Sequence, residues 1–132
     1  MIHYQFNKLI RSKLPERMTN EGVKLHITHL SKAEYIKELK NKIVEEASEV
    51  AETKTKENLV TELADVMEVI RALSEANDIT LEEIEAARVE KRSVNGCFLP
   101  ENYIHYIEVA PDNHEVIEYM ENKERPYKKL TV

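Results

Sequence analysis

Lys42-Ile43-Val44-Glu45-Glu46-Ala47-Ser48-Glu49 and, after a dozen intervening residues, Glu62-Leu63-Ala64-Asp65 are the stretches whose reading decides the fold of this 132-residue chain. Residues three and four apart share a helix face, so Glu45 with Glu49, Glu46 with Glu49, and Glu62 with Asp65 each form a one-turn pair. Carboxylates packed this densely raise one another's pKa and cost stability unless a cation neutralises them. A hard divalent cation, which takes oxygen ligands, answers that need.

The intervening Glu52-Thr-Lys-Thr-Lys-Glu57 is polar and unsuited to a buried helix, so it reads as the connection of an antiparallel helical hairpin. Counted from Thr55, Glu49 lies six residues back and Glu62 seven forward, while Glu45 and Asp65 each lie ten away. At a rise of ~1.5 Å per residue the facing acids stand at nearly the same height. The spacing therefore permits a cluster of four or five carboxylates between two helices. It does not set the rotation of either helix about its axis.

Around this hairpin, Ser31-x-x-Glu34 reads as a capping box opening the first long helix, whose Ile36, Leu39, Ile43, Ala47 and Val50 make one apolar face to about Glu52. The second runs from about Glu57 to Ala76. Its Leu59, Val60, Leu63, Ala64, Val66, Met67, Val69, Ile70 and Leu73 go most of the way round, predicting burial on several sides, as a central helix or across a dimer interface. Thr80-x-x-Glu83 caps a third helix through about Arg92, ended by Asn95-Gly96. A short helix after Pro15 is closed by the turn Asn20-Glu21-Gly22, and another begins at Asp112-x-x-Glu115. Residues 23–30 alternate apolar and polar side chains, and Tyr103 to Val109 carries strand formers, predicting that the two pair as a small peripheral two-stranded β element. The expected architecture is mainly α, an antiparallel helical bundle over residues 1–99 with residues 100–132 as a strand and helix extension packed on the same domain.

Composition narrows the function classes. Two glycines and four prolines favour long helices over many turns. No apolar run of about 18 or more residues is present to span a membrane, and Met1-Ile-His-Tyr-Gln-Phe lacks the pattern of a secretory leader. A single cysteine, Cys97, makes no internal disulfide and suits a reducing cytoplasm, the expected location. The net charge of −6 argues against a nucleic-acid polymer as partner. Of the 25 acidic residues, setting aside the five in the motif leaves 20 against 19 basic ones, so the excess acidity can be local. A ferritin-like di-iron site needs Glu-x-x-His pairs, whereas the third-along residues here are Glu49 and Asp65. A Gly-rich phosphate loop is also missing.

The pattern E-E-x-x-E, a dozen residues, then E-x-x-D resembles the signature of the all-α nucleoside triphosphate pyrophosphohydrolases, the MazG-like superfamily. Asn7-Lys8-Leu9-Ile10-Arg11-Ser12-Lys13-Leu14-Pro15 is similar to the start of its phosphoribosyl-ATP pyrophosphohydrolase-like or house-cleaning subgroup. Together the likeness covers roughly Tyr4 to Phe98. At position 12, where related sequences often carry an acid, this chain has Ser12.

The resemblance implies Mg²⁺-dependent hydrolysis of a nucleotide between the α and β phosphates, with Mn²⁺ as a substitute ion. Glu45, Glu46, Glu49, Glu62 and Asp65 would be the metal-binding acids. Glu46 and Glu49 are the candidate catalytic residues, Glu46 favoured as proton acceptor because it sits off the Glu45/Glu49 line. Lys91, Arg92 and Asn95 would meet the phosphate tail, and Lys8, Arg11 and Lys13 can do likewise from the N-terminus. Tyr4, Phe6 and Phe98 are candidate base-stacking groups. The expected partners are a nucleotide and further copies of the chain, as a homodimer or homotetramer, without membrane. Two other readings stand beside this one: a solvated acidic face in which Lys42 and Lys54 form ordinary ion pairs, and a non-catalytic helical interaction or regulatory module that keeps the acidic cation site.

Overall fold

The computed structural model describes residues 1–131 and is all-helical: α1 (Leu14–Asn20), α2 (Lys32–Ala51), α3 (Lys56–Ala76), α4 (Leu81–Asn95) and α5 (His114–Glu121). Two compact units divide the chain, Met1–Val94 and Asn95–Val132.

In the first unit α2 and α3 make the one extensive helix-to-helix packing among the described residues, and local chemistry explains where each starts and stops. The Ser31 hydroxyl accepts from the Glu34 N–H at 3.2 Å and donates to Glu34 Oε1 at 2.7 Å. This departs from the capping box expected, in which the glutamate reaches the cap's own backbone N–H. Thr55 caps α3 by accepting from the Asn58 N–H at 3.1 Å, and Thr53 Oγ1 donates back to the Val50 carbonyl at 2.8 Å. The link between the helices is thus only Glu52 to Thr55, tight enough to fix their register. Thr80 caps α4 through the Glu83 N–H. At the end of α1, Gly22 takes φ +87° while its N–H donates to the Thr19 carbonyl and that of Val23 to the Met18 carbonyl, a Schellman turn at the position where Asn20-Glu21-Gly22 predicted a break.

Leu39, Val69 and Ala76 are the buried apolar centre, with Leu9, Tyr35, Ile36, Ile43, Ala72 and Leu73 packed on it. Leu9 fastens the N-terminal segment to the hairpin. Of the two ways in which α3 was expected to be buried on several sides, the central position within one chain is corrected. One face is covered, but Leu59, Val60, Leu63 and Met67 are exposed, Met67 to 70%. A two-helix layer can cover one stripe of a helix apolar nearly all round and no more.

The predicted β element is also corrected: among the described residues neither 23–30 nor 103–109 forms a strand. Their alternating side chains, Val23, Ile27, Tyr103, Ile104 and Ile107 among them, remain exposed. An isolated pair of strands with no apolar face to cover is marginal in water. Alternation alone does not hold it together.

The second unit is organised by α5, capped by Asn113 through the Val116 N–H and burying Val116, Ile117 and Met120 in part. The Tyr127 N–H donates to the Met120 carbonyl at 3.0 Å, and Lys123 Nζ lies 4.4 Å from the Tyr127 ring centroid and 5.3 Å from that of Tyr119. The tail thereby folds back onto its own helix.

Candidate metal centre

The hairpin register does bring the acids together. Glu46 and Glu49 from α2 and Glu62 and Asp65 from α3 each offer a carboxylate oxygen, all within 4.8 Å of one another. Glu46 is buried, 8% exposed, Glu62 and Asp65 are half-buried, and Glu49 is exposed. Glu45 stands outside this four-membered group and carries ion pairs instead, to Lys8 Nζ at 3.6 Å and Lys42 Nζ at 3.3 Å. On the opposite helix Arg11 Nη2 donates to Asp65 Oδ1 at 2.7 Å.

Burial pushes the Glu46 carboxyl above its ordinary range. The neighbouring Glu49, through its charge and by favouring the protonated form, pushes it further, Asp65 adds to this, and Lys42 alone opposes it. Glu46 Oε2 and Glu62 Oε2 are buried without any hydrogen-bond partner. Such orphaned oxygens are costly, and a bound cation would satisfy both. The donor set is entirely carboxylate, without His or Cys, which fits a hard ion such as Mg²⁺, Mn²⁺ or Ca²⁺ rather than a soft one.

Among the basic residues expected at the site, Lys8 and Arg11 reach it. Lys13 is exposed and makes no ion pair among the described residues. Lys91 and Arg92 lie exposed on the last turns of α4, likewise unpaired among the described residues, and Asn95 is the final residue of that helix. Tyr4 is exposed, Phe6 lies under Lys8 Nζ at 5.7 Å, and Phe98 is fully exposed in the second unit. Lys42, expected as an ion-pair partner on a solvated face, lies further in. It is half-buried, 20% exposed, and spans Glu45 and Glu46, the latter at 3.6 Å. Its spacing from both, three and four residues, was the available signal.

Among the described residues the protein is all-helical, and its two longest helices bring four carboxylates together in an arrangement suited to a hard cation. The family model for phosphoribosyl-ATP pyrophosphohydrolase matches residues 4–93, and the chain belongs to that family. Its chemistry is accordingly of the nucleotide pyrophosphohydrolase type, in line with the resemblance of the acid motif and of the segment from Asn7 to Pro15. No curated protein and no solved structure is found to match. The matched residues include α2, α3, and Lys91 and Arg92, and stop short of Asn95 and the second unit.

Proposed function

We propose that the chain is a Mg²⁺-dependent nucleotide pyrophosphohydrolase that cleaves between the α and β phosphates, giving a nucleoside monophosphate and pyrophosphate. The observation that carries this reading is the pair of buried, unpartnered oxygens on Glu46 and Glu62 inside a four-carboxylate group. When bound there, Mg²⁺ or its substitute Mn²⁺ supplies positive charge to the phosphates and acidifies water.

The protein's own groups divide the remaining work. Glu46, Glu49, Glu62 and Asp65 hold the ion, with Glu45 at the rim. Glu46, which sits off the Glu45/Glu49 line, is the favoured proton acceptor for the attacking water. Exposed Glu49 is the member most open to solvent and takes that role where Glu46 is committed to the ion. As water bonds to the α phosphorus, the bond to the bridging oxygen breaks and pyrophosphate leaves with the electron pair. Lys8, Arg11 and Lys13 neutralise the phosphate tail, with Lys91 and Arg92 as a second basic pair and the Asn95 amide as a neutral hydrogen-bonding group. Phosphoribosyl-ATP, named by the family, is the first substrate to try, and damaged or non-standard triphosphates are the second.

The exposed face of α3 supports a homodimer or homotetramer. Leu59, Leu63 and Met67 lie four residues apart in sequence and form a stripe that a second copy would cover. Met67→Glu is expected to leave a monomer, read by light scattering. The catalytic reading is tested by measuring pyrophosphate release from a panel of triphosphates that includes phosphoribosyl-ATP, with and without Mg²⁺. Turnover should require the ion and be lost in Glu49→Gln and Asp65→Asn. Absence of turnover on every substrate would leave the cation-binding interaction module as the better account.

A further inference from the structure

Lys8 and Arg11 flank Leu9, which packs on the Leu39/Val69/Ala76 centre, and the Arg11 carbonyl accepts from the Leu14 N–H at 3.1 Å as the chain turns into α1. Their backbone is therefore anchored while their head groups are not. Arg11 is 61% exposed and spends a single nitrogen on Asp65, itself 32% exposed, leaving the rest of its donor fork free. Lys8 is 44% exposed and lies 3.6 Å from Glu45, a loose pairing. Exposed pairs of this kind are weakly held. The inner oxygens of Glu46 and Glu62, by contrast, have no protein partner at all.

We propose that Arg11, seconded by Lys8, is an exchangeable counter-cation. It neutralises a rim carboxylate until a divalent cation and a polyphosphate arrive, then gives up Asp65 to the cation and takes a phosphate oxygen. This rests on the metal-centre reading above and adds to it the order of events: the site's cation affinity and its phosphate affinity trade against each other through one guanidinium. A positioning role, in which Arg11 holds Asp65 ready for the ion, has the opposite consequence for the ion's affinity.

Calorimetric titration of the full chain with MgCl₂, followed by inorganic pyrophosphate at saturating Mg²⁺, separates these. Arg11→Met should bind Mg²⁺ about fivefold more tightly, the amount an exposed ion pair can withhold. It should bind pyrophosphate about tenfold more weakly, as expected for one lost charge-assisted hydrogen bond. Arg17→Met removes an equal charge paired outside the cluster, with Glu21, and should alter both by less than about twofold. Unchanged or weaker Mg²⁺ binding in Arg11→Met, or undiminished pyrophosphate binding, overturns the exchange. The same holds if Arg17→Met reproduces the Arg11 effects.

A readout on the unsubstituted protein guards against misfolding of the variant. The Arg11 Nε–H resonance should shift with Mg²⁺ and shift again with pyrophosphate; a resonance unmoved by both overturns the proposal. If the unsubstituted chain binds no divalent cation, the metal-centre reading fails and this one with it. If it binds Mg²⁺ normally while Arg11→Met changes nothing, the exchange alone fails.

Discussion

Glu46 and Glu62 lie one residue or three from Glu45 and Asp65 in sequence, yet the two pairs live in different physical surroundings. The outer two are answered by protein cations, Glu45 by Lys8 and Lys42, Asp65 by Arg11. The inner two each bury an oxygen with nothing to meet it. Charge alone does not make a site, since a carboxylate already paired at the rim can remain as it is. The unpaired inner oxygens create the demand for an ion, and the rim sets how much charge the ion must contend with.

The sharpest way to break this contrast is to remove one acid of each kind. Glu62→Gln is expected to lower Mg²⁺-dependent pyrophosphate release on the order of 10³-fold, beyond the ~10–100-fold typical of losing an outer partner of a metal site. Glu45→Gln should cost only about tenfold. Equal losses would mean that the division into inner and rim acids has no chemical content.

A smaller effect, of the opposite sign, is expected in stability. The Glu46 carboxyl has a higher pKa in the folded protein than in the unfolded chain, so the unfolded state binds fewer protons between the two values. Without divalent cation, its contribution to stability is therefore fully present below the ordinary glutamate pKa and is lost as pH rises through the folded one. Glu46→Gln carries no such charge and should melt a few degrees higher than the parent at neutral pH in EDTA. The gap should close as the pH is lowered. Mg²⁺ should reverse the ranking, because it binds more tightly to, and so stabilises more, the chain that keeps all four acids. Melting curves at several pH values, each with EDTA and with Mg²⁺, check all three statements; a variant less stable than the parent in EDTA at neutral pH contradicts the account.

The division between inner and rim acids also marks how far the sequence could be read. Hairpin topology, the caps at Ser31 and Thr80, and the matched heights of the acids follow from spacing and propensity, and the structure has them. Which acid turns inward depends on the rotation of each helix, and that is set by packing at Leu39, Val69 and Ala76. Spacing placed Glu45 and Glu46 equally well. All-round burial of α3 within one chain failed to follow for a related reason: Leu63 and Met67 are as apolar as the covered Val69, but coverage requires a neighbouring surface that two helices of the same chain do not supply. The alternation at 23–30 and 103–109 likewise states what a strand would look like if something covered it.

Lys42 joins the two environments and yields the smallest and most specific test. Its Nζ lies 3.3 Å from Glu45 at the rim and 3.6 Å from Glu46 within, and it is the cation that lowers the Glu46 pKa against the effects of burial and Glu49. Lys42→Met should therefore move the pH at which Glu46 ionises, followed by carboxyl NMR in EDTA, further upward. Lys42→Arg, which keeps the charge, should restore it in large part. A downward movement would show that the methionine had loosened the packing and let water reach Glu46, so that burial rather than Lys42 governs that carboxyl. No movement would confine Lys42 to the rim, and the inner acids would then meet an ion without help from any protein cation.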